Sequence, residues 1–195
     1  MLTHVISPDR YRRMPWKNGG GVTTEIAVFP DGAGMDSFDW RISTARVDSP
    51  GPFSIFPGID RSLAMLNGAG MTLQLAGIGT RTLKPGDPAL VFPADIAVDA
   101  TLADGGIDDL NVMTRRGRYR HRLTVLPRMG GIGTHEAGAT SLIYVRSGAA
   151  KIRTGRQGIA LTQGQTLFLD GGNGVELAVE RSRGAAVYVI DLWPV

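Results

Sequence analysis

The amino-acid sequence predicts an all-β protein, a duplicated β-sandwich built from two fused jelly-roll halves. Three observations predict this class. Short runs rich in Val, Ile, Leu, Phe and Thr recur along the chain, each closed by Gly, Pro, Asn or Asp. Almost no stretch of the chain that is free of Gly and Pro has apolar residues at the spacing of a helix. The two halves of the chain also repeat one order of apolar runs and turns.

The predicted strands follow one another at short, regular intervals. In the first half they cover residues 22–29, 38–47, 62–67, 72–76, 89–92, 97–102 and 110–114. In the second half they cover residues 123–126, 141–146, 149–154, 165–169, 175–179 and 186–192. Many short strands separated by turn residues are typical of a sandwich or barrel.

The internal repeat is clearest around two turn glycines. Residues 62–68 and 142–148 are each an apolar strand that ends at a glycine, and a short hairpin follows each of them. A polar turn with a glycine then opens the next strand, at residues 84–87 and 162–165. Such corners need a positive or a fixed φ. The sequence thus predicts halves at residues 1–116 and 117–195, with strands exchanged between them as an open alternative.

Composition excludes several kinds of chemistry. The 195 residues include no Cys, which excludes disulfides, iron–sulfur clusters, zinc–thiolate sites and cysteine nucleophiles. The three histidines, His4, His121 and His135, do not form the paired pattern that a metal-binding β-barrel requires. We therefore expect neither a metal nor another cofactor.

Charge and hydropathy narrow the set of partners. The 21 Lys and Arg exceed the 18 Asp and Glu by only three, and no recognition motif accompanies the basic block at residues 115–122, so we expect no nucleic-acid partner. The chain has no long apolar stretch and no signal-peptide pattern at its start. We expect a cytoplasmic protein with no membrane partner.

Trp16, Lys17 and Asn18 precede three consecutive glycines. Ordering three glycines costs backbone entropy, so they indicate an unusual φ or a close backbone approach. The aromatic ring, the cation and the amide together suit a small polar anion. The alternative is a bulged loop in which Trp16 plugs the core.

Alternating residues on two strands suggest the walls of a pocket. Arg41 and Ser43 share one face of their predicted strand, and Asn111 and Met113 share one face of another. An arginine beside a serine suits a carboxylate ligand. The alternative is a structural Arg41 paired with Asp39 or Asp60. A rigid corner at residues 51–61 adds Phe53 and Arg61.

The sequence resembles the HutD/Ves family of bicupins. The resemblance lies in MPWKNGGG at 14–21, TEI at 24–26, WRIS at 40–43, GPFS at 51–54 and FPGIDR at 56–61, and more weakly in NVM at 111–113 and RRG at 115–117. It is dense over about the first 120 residues and loose beyond them. It implies two fused cupin barrels, often a homodimer, and an association with histidine utilisation through a ligand such as formiminoglutamate.

The leading hypothesis is a metal-independent bicupin whose N-terminal barrel binds a small anionic metabolite, in histidine catabolism or its regulation. The expected ligand-binding residues are Trp16, Lys17, Asn18, Glu25, Arg41, Ser43, Phe53, Arg61, Asn111 and Met113, and none is expected to be catalytic. One alternative is a cofactor-free isomerase or lyase with Glu25 or Asp60 as its base. Another is a stress-related protein that acts through protein contacts alone.

Overall fold

The computed structural model describes residues 2–17, 19–126, 132–154, 157–171 and 175–195. Most of the described residues lie in strands, and one 3-10 turn is described at Pro8–Arg10. It divides into two compact units. The N-terminal unit is Tyr11–Arg120, and the C-terminal unit combines residues 2–10 with His121–Val195.

Nineteen strands are described. In chain order they are β1 (Leu2–Ile6), β2 (Arg12–Pro15), β3 (Gly21–Phe29), β4 (Trp40–Val47), β5 (Gly51–Pro52), β6 (Ile59–Asn67), β7 (Met71–Leu75), β8 (Gly79–Leu83), β9 (Leu90–Pro93), β10 (Val98–Leu102), β11 (Ile107–Arg115), β12 (Tyr119–Val125), β13 (Ile132–His135), β14 (Thr140–Ser147), β15 (Ala149–Thr154), β16 (Gln157–Thr162), β17 (Thr166–Asp170), β18 (Val175–Arg181) and β19 (Ala186–Pro194).

The sheet orders show one eight-stranded motif repeated twice. In the N-terminal unit a sheet of order β2-β3-β4-β11-β6-β9 accompanies one of order β5-β10-β7-β8. In the C-terminal unit the orders are β1-β17-β14-β19-β12 and β13-β18-β15-β16. Strands β4 to β11 therefore correspond one by one to β12 to β19, which is the jelly-roll repeat that the sequence predicts. The predicted fold class is confirmed.

The turn glycines recur at matching points of the two repeats. Gly68 after β6 has a φ of +102°, and Gly148 after β14 has a φ of +74°. A β-carbon at either position would also meet neighbouring atoms at less than 3.0 Å. Glycine is therefore the residue that each corner requires.

Each unit has its own apolar core between its two sheets. In the N-terminal unit β4 and β6 contribute Ala45, Val47, Leu63 and Met65, and the smaller sheet contributes Met71, Leu73, Leu75, Val98 and Ala100. In the C-terminal unit the core contains Ile143, Val145, Ile152, Leu167, Leu169, Val187 and Val189. These residues alternate along their strands, as expected when one face of a strand points inward.

Three strands lie outside the eight-stranded repeat. β2 and β3 extend the larger N-terminal sheet beyond β4, and β1 pairs with β17 in the C-terminal unit. The units meet in sequence between Arg120 and His121, four residues after the predicted boundary at 116. The sequence analysis did not identify β1 or β2, because their residues are mostly exposed and leave no apolar alternation to detect.

Candidate functional site

A cavity of about 620 Å³ lies within the N-terminal unit. Its volume falls in the range of small-molecule sites, roughly 300–1,000 Å³. The walls are Met14, Pro15, Trp16, Lys17, Thr23, Met35, Arg41, Ser43, Ala45, Val47, Pro52, Phe53, Ser54, Phe56, Arg61, Asp109, Asn111 and Met113. All of these residues belong to Tyr11–Arg120.

The register of three adjacent strands explains how distant residues meet on one wall. Met113 on β11 lies opposite Arg41 on β4 and opposite Arg61 on β6. Two residues earlier along β11, Asn111 lies opposite Ser43. Directly opposed residues of antiparallel strands point to the same face. The polar wall is therefore a product of strand pairing, and it adjoins the apolar core.

Arg61 is a buried cation held in an aromatic cage. The residue is 6% exposed, and its guanidinium carbon lies 5.3, 5.4 and 5.9 Å from the ring centres of Phe53, Phe56 and Phe92. Its Nη2 contacts the Sδ of Met113 at 3.7 Å, while its buried Nε has no hydrogen-bond partner among the described residues.

The buried position of Arg61 makes its positive charge unfavourable in free energy. Burial lowers the pKa of Arg61 to about 10, with Asp109 opposing the shift and Arg41 adding to it. No carboxylate of the described residues forms an ion pair with Arg61. A buried charge without a contacting counter-ion is the kind of group that an anionic ligand can complete.

Arg41, in contrast, already has a counter-ion. Its Nε donates a hydrogen bond to Oε2 of Glu25 at 2.6 Å, and both side chains are almost fully buried. Glu25 reaches this side of the sheet because β3 is bulged between Glu25 and Ala27, so that Glu25 lies opposite Ser43. A bulge that redirects a side chain is common near binding sites.

Asp109 is the charged cavity residue that the sequence analysis missed. It is 1% exposed, and its Oδ1 accepts a hydrogen bond of 2.7 Å from Nδ2 of Asn111. Burial raises the pKa of Asp109 to about 7, although the charge of Arg61 and the hydrogen bond from Asn111 lower it. The available signal was the alternation itself, because Asp109 precedes Asn111 by two residues on one strand.

The glycine-rich segment forms another part of the wall. Trp16 donates a hydrogen bond of 2.8 Å from its Nε1 to Oγ1 of Thr23. A β-carbon on Gly21 would collide with the backbone oxygen of Arg46 and lie 3.0 Å from the Trp16 ring. Gly19 has a φ of +71°. The glycines thus combine a close approach with a positive φ, and Trp16 packs beside the core without closing the cavity.

Most of the sequence-predicted site residues meet in this cavity. Trp16, Lys17, Arg41, Ser43, Phe53, Arg61, Asn111 and Met113 line it. Glu25 reaches it through Arg41, and Asn18 lies outside the described residues. The proposed alternative partners of Arg41, Asp39 and Asp60, are wrong, since these aspartates pair with other arginines.

Asp60 and the histidines and carboxylates considered as metal ligands do not form a second site among the described residues. Asp60 does not line the cavity, and it pairs with Arg116 at 2.7 Å on the surface. In the part of the chain that the structure describes, no three His, Asp or Glu side chains are grouped so that they could hold a metal ion. The same residues include no helix that is long and apolar enough to cross a membrane.

Two jelly rolls in one chain, one of them with a cavity that has a polar wall, define the class of the bicupins. Solved structures of the cupin fold align with the whole chain. The pirin YhhW of Escherichia coli aligns with a TM-score of 0.68 over 100% of this chain and 99% of that one. At 10% identity this similarity concerns the fold alone.

The chain belongs to the HutD family, whose model matches residues 8–187. The solved HutD of Pseudomonas fluorescens is similar over the full length of both chains, with a TM-score of 0.84 and 31% identity. An uncharacterized 21.2 kDa protein in the hutC 3' region of Pseudomonas putida is 37% identical over 76% of each chain. Protein Ves of Citrobacter koseri is 36% identical over 79% of this chain and 82% of its own.

Proposed function

We propose that this protein binds a small anionic metabolite in the cavity of its N-terminal unit, without a metal, as part of histidine catabolism or its regulation. The observation that carries the proposal is Arg61, a buried cation at a cavity wall whose Nε has no hydrogen-bond partner among the described residues. A ligand carboxylate next to this guanidinium would supply the missing acceptor and the missing charge.

The neighbours of Arg61 support a carboxylate ligand. The three phenylalanine rings surround the guanidinium, and its buried Nε has no hydrogen-bond partner among the described residues. Charge-assisted hydrogen bonds formed away from water are stronger than those formed in water. The exposed Lys17 at the same cavity adds a positive charge that attracts an anion towards it.

The biological context comes from the relatives. HutD of Pseudomonas fluorescens and the hutC-region protein of Pseudomonas putida carry names that refer to histidine utilisation. Intermediates of histidine breakdown are small carboxylates, and formiminoglutamate is one example. A ligand of this size fits a cavity of about 620 Å³. By binding such an intermediate, the protein would respond to its concentration in the cell.

The test is a binding screen of histidine-pathway compounds by thermal shift, followed by titration calorimetry. The wild-type protein should bind at least one carboxylate with a dissociation constant below about 1 mM, and Arg61→Met should abolish this binding. Arg81→Met is the matched control, because Arg81 is exposed in the same unit and lies outside the cavity.

The same variant reports on stability. Methionine preserves much of the arginine's length but removes a buried charge that lacks a contacting counter-ion. We therefore expect Arg61→Met to unfold at the wild-type temperature or above it. Loss of binding with retained stability would place Arg61 in the ligand site. If no pathway compound binds, or if the variant binds as the wild type does, the proposal is wrong.

A further inference from the structure

Asp109 is a second buried ionisable group in a cavity that is proposed to bind anions. It lines the same cavity as Arg61, and it is 1% exposed. A carboxylate at this place repels the carboxylate of a ligand and costs free energy when it is desolvated. A site that binds only an anion does not need a buried carboxyl, so the presence of Asp109 requires a separate explanation.

Neutralising Arg61 is not a sufficient reason. A carboxylate that serves as a counter-ion contacts its cation, as Glu25 contacts Arg41 at 2.6 Å. Asp109 makes no ion pair with Arg61, whose Nη2 lies against the Sδ of Met113 instead. The hydrogen bond from Asn111 orients the Asp109 carboxyl separately from Arg61.

The fold does not require a carboxyl at this position either. In the N-terminal unit Asp109 lies opposite Met65 on the neighbouring strand. At the equivalent pair of the C-terminal unit, Val187 lies opposite Val145, and both valines belong to the apolar core. The same jelly roll is thus built with valine in place of aspartate.

The charged groups around Asp109 leave its protonation state open to influence by a ligand. Burial favours the protonated carboxyl most strongly and Asp108 on the same strand adds to this effect, whereas Arg61 on β6 favours the ionised carboxyl. Arg41 also lines the cavity, and it is already paired with Glu25. An N–H donor beside Asp109 stabilises the ionised form, and a second ligand carboxylate stabilises the protonated form.

We propose that Asp109 makes this cavity selective for bipolar ligands, which are carboxylates that also carry an N–H group. The ligand carboxylate binds at Arg61, and its N–H group donates a hydrogen bond to the carboxyl of Asp109. This inference rests on the proposed function, because it takes the anion site at Arg61 as given.

The experiment compares matched carboxylates that differ only in the N–H group. Pyrrole-2-carboxylate and furan-2-carboxylate form one pair, and the two 3-carboxylates form a second pair with a longer separation of the groups. The pyrrole nitrogen does not titrate near neutral pH. We expect the wild-type protein to bind the pyrrole of at least one pair about tenfold more tightly by titration calorimetry, as a hydrogen bond to a charged group implies.

Two variants connect the preference to Asp109. In Asp109→Val, which copies the residue of the C-terminal unit, the two affinities of each pair should agree within about twofold. Asp109→Asn serves as the isosteric substitute if the valine variant does not fold. Asp108→Asn is the matched control, since Asp108 is the neighbouring, partly exposed aspartate and does not line the cavity. This control should keep the preference of the wild type.

The possible failures are distinguishable. Equal binding of pyrrole and furan carboxylates to the wild type, or a preference that survives in Asp109→Val, overturns the inference and leaves the anion site intact. If none of the four carboxylates binds, the anion site at Arg61 fails for these probes, and the inference that rests on it fails as well.

Discussion

Arg41 and Arg61 share one row of the sheet, yet their surroundings prepare them for different roles. Arg41 is satisfied by Glu25, with N–O contact at 2.6 Å. Arg61 contacts aromatic rings and a methionine sulfur, and it forms no ion pair with a described carboxylate. Cation–π contacts contribute less than a charge-assisted hydrogen bond does. We therefore assign the ligand's carboxylate to Arg61 and a supporting role to Arg41.

Asp109 should make the stability of the protein depend on pH. The pKa of Asp109 is raised from 3.8 to about 7 in the folded chain. The folded protein binds this proton more tightly than the unfolded chain does. The protonated carboxyl therefore contributes its full share to the free energy of unfolding below about pH 4, and this share is lost as the pH rises through about 7. The shift corresponds to about 4 kcal/mol in the free energy of unfolding.

The comparison with Asp109→Asn isolates this contribution, because asparagine is neutral at every pH. Between pH 4 and pH 8 we expect the wild type to lose about 4 kcal/mol of unfolding free energy relative to the variant. Denaturant unfolding measured at several pH values provides the data. Parallel curves for the two proteins would mean that Asp109 titrates at its ordinary pKa.

At the scale of the element, the bulge in β3 decides what the cavity contains. Ile26 is the extra residue of the bulge, and it allows Glu25 to face the side on which Ser43 and Arg41 lie. The sequence gives no direct sign of the bulge, because β3 reads as an ordinary apolar run. The pairing of Glu25 with Arg41 therefore could not be predicted from the alternation alone.

Glu25→Gln should raise the affinity of the cavity for anions. Glutamine keeps the size of the side chain but leaves Arg41 without a negative partner, so the cavity gains one positive charge. Titration with glutarate should show several-fold tighter binding, at a cost in stability of about 1–3 kcal/mol. Glu180→Gln is the matched control, since Glu180 pairs with Arg153 on the surface of the other unit.

The same variant separates binding from catalysis. If Glu25 were the base of an isomerase or lyase, Glu25→Gln would retain binding and lose turnover of a bound pathway compound. Weaker glutarate binding in Glu25→Gln would show that Glu25 contacts the ligand more than it restrains Arg41. Each result assigns Glu25 a different role.

The sequence predicted strands with an apolar face, and with them most of the polar residues on the cavity wall. Residues such as Arg41, Ser43 and Asn111 alternate with buried apolar residues, so their common face follows from the period of a strand. Asp109 was missed because an aspartate two residues before an asparagine is indistinguishable from a surface residue without knowledge of its burial. The edge strands β1 and β2 are mostly exposed, and their apolar residues show no alternation.

At the scale of the whole molecule, the repeated fold has kept its strands and changed the residues of the polar wall. Counting back from the turn glycines, Arg61 corresponds to Ser141, and the facing Met113 corresponds to Asp191. Asn111 corresponds to Val189, which belongs to the apolar core of the C-terminal unit. The repeat of one jelly roll thus provides two interiors, of which the N-terminal one contains the cavity with the polar wall.

The polar residues that remain at these positions of the C-terminal unit satisfy one another. Asp191 is 2% exposed. It accepts hydrogen bonds of 2.7 Å from Oγ of Ser141 and of 2.9 Å from Nη2 of Arg122. A buried carboxylate with its acceptors occupied contributes to folding and leaves no donor or charge open to a ligand.

Asp191→Asn should therefore weaken folding and leave ligand binding unchanged. The variant removes the charge that faces Arg122 and alters the hydrogen bond to Ser141, so we expect a loss of about 1–3 kcal/mol and a lower unfolding temperature. The half-exposed Arg122 keeps this cost at the lower end, because solvent screens its charge.

Calorimetric affinities of the carboxylates that depend on Arg61 should stay at the wild-type value, since every residue of the cavity wall belongs to Tyr11–Arg120. A change in affinity as large as that of Arg61→Met would instead mean that the C-terminal unit contributes to the ligand site, and the division between a binding unit and a structural unit would have to be abandoned.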